Sequence, residues 1–215
     1  MAVDLKNQER FKDMLQDKKC KLCRREGNKL FLKGIRCESA KCALTRRDYA
    51  PGKNKKSHSK KMSDYGMQLR AKQSCKKIYK LREKALSSYY DVASKHKGTT
   101  GDKLAQLLET RLDNVVYRLG FAPSLSAARQ LVSHKHIKID NKTVNIPSYH
   151  IKMKQKISVD KNIIPILKNT KKNEDIPKWL ELSKDKFSST ILELPTKLNL
   201  PKDVQIQSII EFYSR

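Results

Sequence analysis

The chain has 215 residues, 38% of them hydrophobic, and 48 Lys/Arg face 22 Asp/Glu for a net charge of +26. That length allows one large domain or two small ones, and such a charge calls for a polyanion, because each neutralised phosphate releases counterions. No apolar run of about 18 residues is present to span a membrane, and five cysteines, an odd number, argue against a disulfide framework and for a reducing compartment.

The segment Met1–Lys19 holds Asp4, Glu9, Asp13 and Asp17 and lacks an apolar centre. It therefore reads as neither a secretory signal nor an acid-poor transit peptide. Residues 3–17 are compatible with a charged helix bearing Leu5, Phe11 and Leu15, and residues 1–18 are taken as an extension. Next come Cys20 and Cys23, two residues apart, then thirteen residues, then Cys37 and Cys42, four apart. Two close cysteine pairs flanking a short loop are what a tetrahedral thiolate zinc (Zn2+) site requires. The metal would staple a segment with too little apolar surface to fold alone. Zinc is preferred to an iron–sulfur cluster, since a basic knot needs geometry and no redox chemistry. Arg24 and Arg25 follow the first pair directly.

Residues 45–62 run from Arg46 and Arg47 through Lys53, Lys55 and Lys56 to Lys60 and Lys61 with almost no apolar content. This reads as a loop ordered by a partner, with His58 near solvent or phosphate. Ser63-Asp64 is the predicted N-cap of a helix running to about Lys97. Met67, Ala71, Ile78, Tyr79, Leu86, Tyr89, Tyr90 and Ala93 form its apolar stripe, with Arg70, Lys72, Lys76 and Lys77 on the remaining surface. Cys75 falls in the stripe and reads as a small core residue.

Gly98 and Gly101 break that helix, and Leu104 to Leu119 predict an amphipathic helix of about five turns, closed by Gly120. Pro123-Ser124 opens a second helix packed through Ala127, Ala128, Leu131 and Val132. The period then becomes two: Ile137 and Ile139, a turn at Asp140-Asn141-Lys142, and a return through Val144 and Ile146. Ile151, Ile157 and Val159 add short strands beside Lys152, Lys154 and Lys156. The expected class is α+β. An extension (1–18) precedes a zinc-binding helical domain (19–108), a helix–helix–sheet RNA module (109–172) and a C-terminal segment (173–215) folded back on the helical domain. An apolar ending such as Ile209-Ile210-Glu211-Phe212-Tyr213 normally packs.

Several stretches resemble the S-four family of bacterial small-subunit ribosomal proteins, in its zinc-binding, four-cysteine form. They are Cys-Lys-Leu-Cys-Arg-Arg-Glu-Gly at 20–27, Leu-Phe-Leu-Lys-Gly at 30–34, Ser-Asp-Tyr-Gly at 63–66 and Gln-Leu-Arg at 68–70. Arg111 to Phe121, Ala128 to His134 and the ending Glu211 to Ser214 complete the set, so the resemblance spans roughly 18–215. It implies a primary rRNA-binding assembly protein on the 5′ domain of a 16S-type RNA. It also implies a place in the cytoplasm on the small subunit where mRNA enters, beside the uS-five family, and a contribution to decoding accuracy. Some family members repress their own operon. The family also has cysteine-free members, so its metal is optional, and this chain keeps all four ligands. The usual Pro-Gly-Gln-His-Gly turn is replaced by Pro51-Gly52-Lys53-Asn54-Lys55, and lysine outnumbers arginine 36 to 12, so cations act more as point charges than as bidentate forks.

The candidate RNA contacts are the cations named above at positions 24–77, together with Arg111, Arg118, Arg129, His134 and Lys135. The three arginines lie on helices with an apolar opposite face and match family arginines; the competing reading is surface salt bridges with Glu109 or Asp113. His134 and His136 could chelate a metal, but an RNA-facing or capping pair is the simpler reading. The Lys53–Lys61 loop is a candidate for contact with mRNA. Arg111-Leu112-Asp113 resembles the aspartate motif of pseudouridine synthases, some of which carry the same module. Here a helix continues where they have a turn, and no length remains for a catalytic domain. A ribosome-associated stress factor carrying the module is the second alternative. The expected role is a scaffold, not an enzyme.

Overall fold

A computed structural model of the chain describes residues 19–52, 61–160, 176–183, 187–201 and 203–215. The predicted helix at 3–17, Lys53, Lys55, Lys56, Lys60 and His58 lie outside the described residues. The chain forms two compact units, Met1–Lys61 and Met62–Arg215. The expected boundary at 108/109 therefore falls inside the second unit, and the one at 172/173 lies outside the described residues.

The first unit contains three short helices: α1 (Lys19–Glu26), α2 (Ile35–Glu38) and α3 (Ala43–Arg46). Gly27, at φ 80°, ends α1 with its amide 2.9 Å from the Cys23 carbonyl, a left-handed cap that favours glycine. Cys23 and Cys37 sit within helices and Cys42 is the N-cap of α3. The buried apolar residues described here are Leu30, Cys23, Cys37 and Cys42. Among the described residues of this unit, one leucine and three thiols are far less apolar burial than a segment needs to offset its chain entropy.

The second unit opens with α4 (Asp64–Ile78), whose N-cap Ser63 accepts a hydrogen bond from the Gly66 amide at 3.3 Å. The predicted single helix to Lys97 is in fact two, α4 and α5 (Glu83–Ser94). Lys80 adopts φ 52°, and the Leu81 amide reaches back to the Lys76 carbonyl at 2.8 Å. This is a Schellman cap built on lysine, so the glycine that normally signals it is absent from the sequence. The predicted five-turn helix is also divided, into α6 (Thr100–Glu109) and α7 (Leu112–Arg118). Here the Leu112 and Asp113 amides donate to the Tyr149 and Pro147 carbonyls at 2.8 and 3.1 Å. A distant strand-like segment supplies acceptors that the preceding turn would otherwise provide.

Gly120, at φ 74°, closes α7 as expected, and Ser124 caps α8 (Leu125–Ser133) through the Ala127 amide. Beyond α8, Asp140 and Asn141 both take positive φ, the two-residue type I′ geometry that joins β1 (Ile137–Ile139) to β2 (Lys142–Thr143). The returning strand stops at Thr143; Val144 is half-buried and Ile146 exposed. Strands β3 (Lys156–Val159), β4 (Leu180–Leu182) and β5 (Ser188–Ile191) complete an antiparallel sheet of order β2-β1-β3-β5-β4. Helices α7 and α8 bury Leu112, Val116, Ala128 and Val132 against Ile137, Ile157, Val159 and Ile191.

The expected C-terminal segment therefore divides its work. Strands β4 and β5 extend the sheet of the RNA module, whereas α9 (Ile206–Tyr213) packs on α4, α5 and α6. Its Ile206 and Ile209 join Cys75, Tyr79, Leu86, Leu104 and Leu108 in a second core. Each such side chain contributes roughly 1.5–3 kcal/mol. A Cβ on Gly101 of α6 would lie 3.3 Å from Ile206, so the two helices approach closely there.

Candidate metal centre and nucleic-acid interface

Cys20, Cys23, Cys37 and Cys42 line one small cavity between α1, α2 and α3. All four are free thiols, Cys20 half-buried and the others buried. The Lys33 amide donates to Cys37 Sγ at 3.4 Å. Burial pushes the Cys23 thiol up, a hydrogen bond from the Leu30 backbone pulls the other way, and the three neighbouring thiols push it further up. At Cys42 burial again opposes ionisation, but backbone donors at Thr45 and Leu44, the Thr45 side chain and the charge of Lys29 outweigh it and lower the thiol. Among the described residues no three His, Cys, Asp or Glu side chains converge closely enough to hold a metal as they stand. By residue type the set is that of a thiolate metal site: four sulfurs line one cavity, amide donors reach several of them, and their mutual repulsion is one that a divalent cation would reverse.

Among the candidate RNA contacts, Arg25, Arg46, Arg47, Lys61, His134 and Lys135 are exposed, while Arg24 and Arg70 are half-buried. Arg24 Nε donates to the Tyr49 carbonyl at 3.0 Å and its guanidinium lies 4.9 Å from the centre of the Tyr49 ring. Lys77 is also half-buried. Lys72 must be removed from the set of surface contacts. It is 7% exposed, its Nζ lies 2.7 Å from Glu83 and 4.0 Å from the centre of the Phe212 ring, and so its charge serves to hold α9. Lys76 is committed to Glu83 as well, at 2.8 Å.

Arg111 needs the same correction. It is 3% exposed, with Nε and Nη2 on the two oxygens of Asp113 at 3.0 and 2.8 Å and Nη1 on Tyr89 Oη at 2.7 Å. Burial works against its charge, but the Asp113 carboxylate outweighs that and holds the guanidinium above its ordinary value. Arg118 forks onto fully buried Glu109 at 3.1 and 2.8 Å, and Glu109 also accepts from Tyr79 Oη at 2.5 Å and Asn114 Nδ2 at 2.8 Å. Both arginines are therefore paired with the acids expected for salt bridges, but these pairs are drawn into the interior and are not on the surface, because both carboxylates are fully buried. Arg129 differs: its side chain is 43% exposed, donating to the Lys80 carbonyl at 3.3 Å, with Asp113 3.9 Å away. The network joins α4, α5, α6, α7 and α8 through two carboxylates four residues apart. Their signal in the sequence is the placing of Glu109 and Asp113 among leucines, where an acid is admitted only with partners.

The candidate set omits exposed cations that the fold groups with it. Lys21, Lys29, Lys33, Arg36 and Lys41 surround the thiols, and Lys142, Lys152, Lys154 and Lys156 surround the hairpin. Adjacency to the cysteines, and the alternation of lysine with Ile139 and Ile157, are the signals for them. His134 and His136 lie with ring centres 6.2 Å apart beside Lys135, whose φ of 65° turns the chain from α8 into β1. Asp113, the residue of the pseudouridine-synthase comparison, is wholly buried and paired. Among the described residues no helix is long and apolar enough to cross a membrane.

Comparison with known proteins gives a consistent answer along the chain. The family model described as the ribosomal protein S4/S9 N-terminal domain matches residues 14–109, and the S4 domain matches 110–157. The chain is 49% identical over 199 residues to the small ribosomal subunit protein uS4 of Dictyoglomus thermophilum, covering 91% of this chain and 96% of that one. It is 46% identical, with the same coverage, to uS4 of a Thermoanaerobacter species. To uS4 of Koribacter versatilis it is 42% identical, covering 96% of this chain and 99% of that one. The meeting point of the two family models, at 109/110, coincides with the break between α6 and α7. The chain belongs to the uS4 family of small ribosomal subunit proteins.

Proposed function

We infer that this chain is a structural component of the small ribosomal subunit that binds rRNA as a scaffold and performs no bond chemistry. The observation that carries this reading is the match along nearly the whole chain to proteins named small ribosomal subunit protein uS4. The exposed cations of the first unit and the hairpin are suited to phosphates, and the two buried acids are spent on arginines instead of a substrate. If the protein is a subunit component, small subunits washed in high salt retain it in stoichiometric amount. Release in the wash identifies instead a ribosome-associated factor carrying the same module. Uridine isomerisation on an rRNA fragment by the purified protein would revive the synthase alternative.

Within that reading the finer assignments are proposals. The RNA is a 16S-type 5′ domain bound early in assembly, and the neighbours are other small-subunit proteins, the uS-five family among them. The site is where mRNA enters, with a contribution to decoding accuracy. Crosslinks from Lys61 and its neighbours confined to rRNA would remove the mRNA contact. Cys20, Cys23, Cys37 and Cys42 would hold zinc, which supplies a structural clasp for a unit whose described residues include one buried leucine. Cys23→Ser should abolish stoichiometric zinc by elemental analysis and loosen residues 19–52; unchanged zinc would refute the assignment.

A further inference from the structure

We propose that Phe31 is a stacking platform for an unpaired RNA base, presented by the thiol-stapled unit and flanked by Lys29, Lys33 and Arg36. The proposal rests on the RNA-binding reading above and names the kind of nucleotide that this unit takes. Leu30 is buried at 5% exposure, yet the next residue turns its ring outward: Phe31 is 42% exposed and Ile35 52%. The backbone of Phe31 sits at φ 49°, in the left-handed region that aromatic residues rarely occupy. An aromatic residue that keeps 42% of its surface in water on a left-handed backbone adds little to the core, and glycine would serve the turn better. Such strain persists where the surroundings enforce it and the side chain has a use.

The enforcement is visible. The Gly34 amide donates to the Phe31 carbonyl at 3.3 Å, the Cys37 amide to the Gly34 carbonyl at 2.7 Å, and the Lys33 amide to Cys37 Sγ. The turn that displays the ring is thus hydrogen-bonded to a member of the thiol cluster. Lys29, Lys33 and Arg36 are all exposed. Exposed cations two to five residues from an exposed aromatic ring in the same turn match a nucleotide, whose phosphate takes the charge and whose base takes the π-face. Proteins recognise unpaired RNA bases in this manner. The same three charges disfavour an apolar protein surface as the occupant.

The test uses the full chain and a set of 5′-domain rRNA fragments, each carrying 2-aminopurine at one unpaired position. Wild type should alter the fluorescence at one position. Phe31→Leu should lose that signal and bind about tenfold more weakly, the order of one base–aromatic stack, while Phe31→Tyr keeps both. The salt dependence should stay the same in all variants, because no cation is removed. Phe31→Gly guards against a folding artefact: it accepts the left-handed backbone, so it should be at least as stable as wild type and bind like Phe31→Leu. Wild-type affinity and an unchanged signal in both Leu and Gly variants would overturn the proposal and leave RNA binding intact. A loss in Phe31→Leu that tracks lost thermal stability and is absent in Phe31→Gly would also overturn it. Failure of wild type to bind any fragment removes the RNA reading and this proposal with it.

Discussion

Glu109→Ala is the sharpest probe of the network that joins the helices to the RNA module. Glu109 is fully buried and holds four donors: Tyr79 Oη, Asn114 Nδ2, and Nε and Nη2 of Arg118. Removing one partner of a buried pair costs about 3–5 kcal/mol, because the surviving charge is stranded. The orphaned hydroxyl and amide push the cost upward by about 1 kcal/mol or more each. Against that, the Arg118 side chain is 21% exposed and part of its charge can rehydrate. We therefore expect a loss of about 4 kcal/mol, or roughly 8–16 °C in melting temperature for a domain of this size. Urea denaturation followed by far-UV circular dichroism measures it. Glu109→Leu combined with Arg118→Met should recover part of the loss, since it removes both charges. For scale, Asp160→Asn, which breaks a half-buried pair at 3.9 Å with Lys138, should cost less than about 1 kcal/mol. A Glu109→Ala variant within about 1 kcal/mol of wild type would refute the claim that this carboxylate holds the network.

Burial would raise the Glu83 carboxyl, but hydrogen bonds from Lys72, Lys76 and Tyr213 lower it from 4.5 to about 2. Its stabilisation is therefore complete above pH 4.5 and disappears as the pH falls towards 2. Because the side chain is 47% exposed, the effect is about 1 kcal/mol after solvent screening, and Glu83→Gln should flatten acid denaturation across that window. Burial, with Glu109 nearby, raises the Cys75 thiol to about 12, so at pH 8 Cys75 should resist iodoacetamide until the fold opens. Half-buried Cys20 should be alkylated first in metal-free protein, as mass spectrometry of timed samples would show. Arg46→Ala with Arg47→Ala should weaken rRNA binding uniformly and reduce the salt slope by about two. Lys72→Met should lower stability by detaching α9 and leave that slope unchanged, a contrast readable from the same titrations.

Local signals in the sequence were strong wherever a residue's own chemistry decides the conformation. Gly120 and Ser124 mark their caps, Asp140-Asn141 marks the hairpin turn, and Ile137, Ile139, Ile157 and Val159 mark one face of a sheet. Each works through its own φ, its own hydroxyl or its own alternation. The helix breaks at Lys80 and at Arg111 carried no such mark. The first is a left-handed lysine, and the second exists because carbonyls some 36 residues downstream, at Pro147 and Tyr149, capture the amides of Leu112 and Asp113. The pairing of β4 with β5 was likewise invisible, since backbone ladders leave little trace in side-chain type.

The cations divide along the same line. Counting them pointed to a polyanion partner, and the four cysteines with their spacing pointed to a candidate clasp. Charge and ligand type belong to residues before any folding occurs. Which cations face outward belongs to the tertiary structure alone. Arg111 and Arg118 resemble surface arginines on an amphipathic helix until Asp113 and Glu109 are seen buried beside them, and Lys72 until Glu83 and Phe212 close over it. A charged side chain is drawn inward only when a partner waits in the low-dielectric interior, and that partner comes from another element of the fold.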